Sequence, residues 1–202
     1  MRHEFVGDDR DLFKWSLILD LAEPDKTVVY VPMARPDERL RSANDHHLRD
    51  DVKRYFRENR MNAVEAMCPS RISVASWDHY TNENREAYFD GVCRLLARDV
   101  SGTPRVVFLD PDTGMEPPRS SAKHVHVRDA SLKDVWQSMR RDDILVVYQH
   151  APLSKKDGWI AERKAQFAGA IGVEPPSVEL RPKLDVCFFW STKSALVATF
   201  GE

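Results

Sequence analysis

Three short runs constrain this chain most: Thr27 to Met33 (TVVYVPM), Arg105 to Leu109 (RVVFL) and Asp143 to Gln149 (DILVVYQ). Each is almost continuously apolar, rich in β-branched residues and too short for an ordinary helix. A strand with one wet face alternates apolar and polar side chains. A run that is apolar throughout is covered on both faces, as in a parallel sheet lying between helices.

The segments between these runs support that reading. Residues 9–22 predict a mostly apolar and therefore buried helix, capped by Asp8 or Asp9 and ended by Glu23-Pro24-Asp25. Further helices are predicted over 46–59, 82–98, 131–140 (started by a Ser131 cap) and 157–171, with another strand at 71–76. Closing strands at 185–191 and 195–200 flank Ser191-Thr192-Lys193-Ser194 and predict an antiparallel hairpin. Alternating strands and helices predict an α/β sandwich with a mostly parallel sheet and a C-terminal antiparallel β-hairpin. Residues 1–202 read as one domain, in which 34–70 form a mobile or helical insertion.

Composition narrows the class. A chain of 202 residues with 42 % hydrophobic and 31 % charged residues buries a core without disulfides. Thirty Lys+Arg against 32 Asp+Glu give a net charge of −2. That excludes a protein held on nucleic acid by bulk positive charge and leaves room for a local basic patch. No apolar stretch approaches the roughly 18 residues of a membrane span, so no membrane partner is expected. The charged start MRHEFVGDDRD has no signal-peptide core. Cys68, Cys93 and Cys187 are isolated and read as reduced thiols of a cytoplasmic protein.

In an open α/β sheet, ligands bind outside the C-terminal strand ends. The unusual polar residues of this chain fall there. Asp110 follows an apolar strand, and Pro111 removes a donor and stiffens the exit, leaving a carboxylate that can accept a hydrogen bond from an amino group. A plain Asp-Pro-Gly turn is the structural alternative. The same stretch, Asp110-Pro111-Asp112-Thr113-Gly114-Met115-Glu116, offers Asp110, Asp112 and Glu116 as hard oxygen ligands for Mg²⁺. With Lys123 and His150 these would serve a nuclease or phosphohydrolase. His150 ends the fourth strand as a base, ligand or substrate contact, or as a hydrogen-bonded structural residue.

Near the N-terminus, Lys14 lies three residues after Asp11, on one face of an otherwise apolar helix. It either snorkels to solvent, pairs on the surface or meets an anion in a cleft. Asp78 follows a strand and Trp77, as a ligand contact or a helix cap. His124 and His126 alternate along an extended segment, a two-ligand metal signal at most, while adjacent His46 and His47 suit a solvated loop. Arg35, Arg39, Arg41, Lys155, Lys156, Arg163 and Lys164 offer phosphate contacts, or simply a solvated face.

Together, Gly7-x-x-x-Asp11-x-x-Lys14, the Asp110-Pro111 strand end and the closing hairpin resemble the bacterial 23S ribosomal RNA adenine-N6 methyltransferase family. The chain is also similar to bacterial and phage proteins of no assigned activity that carry a DPDxGxE loop and a YQH strand end. The first resemblance implies a Rossmann-like methyltransferase-type fold and an S-adenosylmethionine cofactor. It implies that Lys14 binds the cofactor's carboxylate end, that Gly7 and Asp11 shape the adjoining turn, and that Asp78 contacts the adenine. Asp110 would accept hydrogen bonds from the target amino group of an RNA or DNA base, with Asp112 and His150 beside it. Two positions depart from that family: Pro32 to Pro36 contains no glycine turn, and Asp112-Thr113 replaces Pro-Tyr. These departures sustain the Mg²⁺ hydrolase alternative and a third reading, a non-catalytic phage or defence binding protein on the same fold.

Overall fold

A computed structural model of the chain describes residues 9–33, 72–76, 80–81, 83–98, 101–118, 126–152, 157–173, 177–181 and 185–193. In chain order the elements are α1 (Asp9–Ala22), β1 (Thr27–Pro32), β2 (Ile72–Val74), α2 (Arg85–Arg98) and β3 (Arg105–Asp110). They continue with α3 (Asp129–Ser138), β4 (Ile144–His150), α4 (Trp159–Ile171), β5 (Ser177–Arg181) and β6 (Val186–Thr192).

The six strands form one sheet in the order β2-β1-β3-β4-β6-β5. β2, β1, β3 and β4 are parallel, whereas β6 is antiparallel to both β4 and β5. The expected α/β class and mostly parallel sheet are therefore present. The continuous apolar runs are also explained. Val29, Val31, Val107, Leu109, Leu145 and Val147 share a core with α2, α3 and α4 on one face of the sheet. Val28, Tyr30, Val106, Phe108, Val146 and Tyr148 pack against α1 on the other. Strand alternation sorts odd and even residues to opposite layers, and both layers are dry.

Local details differ from expectation. The hairpin pairs Ser177–Arg181 with Val186–Thr192, so the partner of the closing strand precedes it; residues 195–200 lie outside the described residues. The third helix begins at Asp129, with Arg128 in the capping position and no side-chain cap, and Ser131 is buried inside it. A polar residue before a helix predicts a cap only when its backbone is extended, and here that residue is Arg128. The other end of α3 is covered by Lys193, whose ammonium donates to the carbonyls of Trp136 and Gln137. Cys93 is half-buried and Cys187 buried, both as free thiols. Burial pushes the Cys187 thiol up to about 12. The 46–59 helix, His46, His47 and Cys68 lie outside the described residues. Among the described residues no helix is long and apolar enough to cross a membrane.

Candidate functional site

The chain runs from β1 to β2 on one side and then to β3 on the other side of β1. That reversal puts the switch point, where open α/β sheets bind ligands, beyond the C-terminal ends of β1 and β3. Pro32 and Asp110 are register partners at this edge. Asp110 is almost completely buried, at 1 % exposure. Lys14 on α1 donates to its Oδ2 at 2.9 Å, and the Tyr30 hydroxyl donates to the same oxygen at 2.8 Å. Among the described residues no hydrogen bond reaches Oδ1.

The network extends along β4. The Lys14 ammonium lies 5.2 Å from the centroid of the Tyr148 ring. The Tyr148 hydroxyl is 3.1 Å from His150 Nε2, and the two rings meet edge to face. Burial lowers the His150 pKa, and the charges of Arg10 and Lys14 add to the effect, with Asp112 and Asp110 opposing it. The neutral imidazole is thereby favoured. Tyr30, Asp110, Tyr148 and His150 are all even-numbered strand residues, and alternation therefore turns them towards α1 and Lys14.

Gln149 points the other way and fixes the loop after β3. Its Oε1 accepts from the Met115 amide at 2.9 Å, and its Nε2 donates to the Thr113 carbonyl at 3.0 Å. Gly114, at φ +107°, lies directly against this amide; a Cβ there would overlap the Gln149 side chain. The glycine of the Asp110–Glu116 stretch is thus required by close packing and by a positive φ.

The acids of that stretch do not converge. Asp110 faces α1, whereas Glu116 belongs to the opposite layer. There its Oε2 accepts from Arg128 Nε at 3.0 Å and lies 3.7 Å from Arg85. Its carbonyl accepts from Gln166 at 2.8 Å and from Arg163 at 3.4 Å. Among the described residues no group of three His, Cys, Asp or Glu side chains is gathered to hold a metal ion. Asp110 and Glu116 are thus split to opposite faces of the sheet, while Asp112 acts with Asp110 on the His150 charge. His126 is likewise engaged, with Nδ1 2.7 Å from the Thr113 hydroxyl.

Of the residues singled out from sequence, the structure brings together Lys14, Asp110 and His150, with Asp112 close enough to act on the imidazole charge. Gly7, the Asp11 side chain, Asp78, Lys123, His124, Arg35, Arg39, Arg41, Lys155 and Lys156 lie outside the described residues. Arg163 holds the Glu116 carbonyl and the Gln166 side chain instead of facing solvent. Tyr30 went unnoticed in the sequence. Its signal was the one aromatic residue of the strand, in register with Phe108 two residues before Asp110.

Comparisons with protein-family models, with curated proteins and with solved structures return no match.

Proposed function

We propose that the chain is an S-adenosylmethionine-dependent methyltransferase-like protein acting on an amino group of a nucleic acid or a related substrate. The observation that carries this reading is the state of Asp110. It sits at the switch point with Oδ2 held by two donors, while no described residue bonds to Oδ1. A carboxylate so positioned can accept a hydrogen bond from a substrate amino group and turn its lone pair towards an electrophile. This is catalysis by orientation.

The donor chemistry suits the cofactor. Lys14 is a buried cation already bound to one carboxylate, and the amino-acid end of S-adenosylmethionine presents another. When bound, the cofactor supplies an electrophilic methyl group. Tyr30 is a positioning residue that fixes the Asp110 rotamer. The neutral imidazole of His150 can take up a proton released from the amino nitrogen. A base inside a duplex would have to be extruded to reach this buried carboxylate, so single-stranded or looped substrates fit best. The mostly parallel sheet with an antiparallel closing hairpin accords with a Rossmann-like methyltransferase architecture, with Asp110 at the switch point where such sheets bind ligands.

Isothermal calorimetry with S-adenosylmethionine tests the reading. Saturable binding that is weakened in Lys14→Met is expected. No binding by the wild-type protein at millimolar ligand would overturn it.

A further inference from the structure

A second feature lies outside the Asp110 site. Beside the edge strand β2, Ala75 and Ser76, which follow it, line with α2 an open groove of about 620 Å³. Ser76 and Tyr88 stand at one end, and Gly91, Arg94, Leu95 and Arg98 continue it along α2. Gly91 leaves the floor bare, since nothing lies within 4 Å of where its Cβ would be. Leu95 is the one large hydrophobic side chain among the described residues that is exposed, at 37 %.

The charges in this groove are of one sign. Arg94 and Arg98 are exposed and stand one helical turn apart, which places like charges side by side. Asp90 lies one turn before Arg94, yet no ion pair joins them, and neither arginine makes a hydrogen bond or ion pair with a described residue. The arginines around Glu116 behave differently: Arg85 and Arg128 face its carboxylate, and Arg163 donates to its carbonyl. The groove runs from the C-terminal strand ends, at Tyr88, towards the opposite edge of the sheet, where Arg105 donates to the Leu96 carbonyl. Tyr88, at its upper end, donates its hydroxyl to the Pro32 carbonyl at 2.7 Å, and Pro32 is the register partner of Asp110.

We infer that this groove holds the phosphodiester backbone of a single-stranded nucleic acid, with Arg94 and Arg98 on the phosphates and Leu95 and the bare Gly91 turn accommodating sugar or base. The inference rests on the reading of the substrate as a nucleic acid. It explains how a chain of net charge −2 can hold a polyanion: two guanidiniums of one sign lie side by side in the groove and do not depend on bulk charge.

The test is fluorescence anisotropy with a short labelled single-stranded RNA and a DNA of the same sequence, across a salt series. Arg94→Ala/Arg98→Ala is expected to weaken binding about tenfold or more and to reduce the slope of log K against log salt by about 1.4, at roughly 0.7 per phosphate contact. Gly91→Glu places an acid in open space and is expected to weaken binding with unchanged thermal stability. Arg141→Ala, an exposed arginine beside Asp142, is expected to bind as the wild type does. RNA and DNA share the phosphodiester, so the loss should appear in whichever strand binds. Wild-type affinity in both Arg94→Ala/Arg98→Ala and Gly91→Glu would overturn the inference, as would failure of the wild-type protein to bind either strand. S-adenosylmethionine binding is measured on the same samples. Its absence together with intact, arginine-dependent strand binding would refute the methyltransferase reading and leave the groove standing.

Discussion

Two buried ion pairs close the two ends of β3, and they are built differently. At the N-terminal end Arg105 and Asp143 are both fully buried. Both Asp143 oxygens are used: Oδ1 accepts from the Arg105 amide at 2.8 Å. Oδ2 accepts from Arg105 Nε at 3.1 Å and Nη2 at 2.7 Å, and from the Arg140 amide at 2.8 Å. The remaining Arg105 nitrogen, Nη1, donates to the Leu96 carbonyl at 2.9 Å. At the C-terminal end, Lys14 and Tyr30 both donate to one oxygen of Asp110, and none of the described residues donates to the other. A buried charge is tolerated when its hydrogen-bonding capacity is filled. The lower pair meets that condition and ties α2, β3 and the approach to β4 together. The upper pair leaves an acceptor at the switch point of the sheet, where the proposed site lies.

Exchanging aspartate for asparagine separates the two. In Asp143→Asn an amide nitrogen must face donors whichever way it turns, so a loss of about 3–5 kcal/mol is expected in chemical denaturation. A loss below about 1 kcal/mol would remove the distinction. Gly114→Ala comes next. The positive φ alone costs about 1–3 kcal/mol, and overlap with Gln149 adds to it. Equal stability of Gly114→Ala and wild type would show that the Gln149 clamp does not set the loop.

Asp110→Asn should cost less, about 2–3 kcal/mol. Its carbonyl can still accept from Tyr30 and Lys14 without a clash, but the buried Lys14 ammonium loses its counter-charge. Replacing both partners sharpens the contrast. Lys14→Met with Asp110→Leu should cost only about 1–2 kcal/mol, since the charge pair is removed together and the Tyr30 hydroxyl loses this acceptor. Arg105→Met with Asp143→Leu should be destabilising, because the Arg105 and Arg140 amides and the Leu96 carbonyl lose their partners.

The smallest effect is a pH dependence. His150 has an ordinary value near 6.5 in the unfolded chain and a lowered one in the fold, chiefly through burial. Below about 6.5 the unfolded state binds the proton first. The contribution of His150 is therefore complete above that value and lost as pH falls from 6.5 through its lowered native value. His150→Gln should flatten this part of the stability profile. An unchanged profile would mean that the imidazole is not held neutral by the fold.

Much of the fold was legible because dry parallel strands leave a coarse signal. The runs around Val29, Val107 and Val146 needed only their lack of alternation to be read as strands covered on both sides. Asp110 was legible for the same reason, as a charge that ends such a run. Its partners were only partly so. Lys14 stood out as a cation in an apolar helix, but its contact with Asp110 spans 96 residues and depends on how α1 crosses the sheet. Tyr30 was hidden because a tyrosine in a strand is ordinary. Glu116 misled because proximity in sequence suggested a shared site, whereas the sheet turns it to the opposite layer. The hairpin partner was misplaced because the 177–181 run (SVELR) is short and half polar, as an edge strand is.

The most direct test of the account is methyl transfer from labelled S-adenosylmethionine to single-stranded RNA by the wild-type protein and by Asp110→Asn, with thermal unfolding recorded for both. The account predicts transfer by the wild type and its loss, by about a hundredfold or more, in a variant that remains folded. Transfer that survives in Asp110→Asn, or a wild-type protein that binds S-adenosylmethionine and RNA yet transfers nothing, would contradict it.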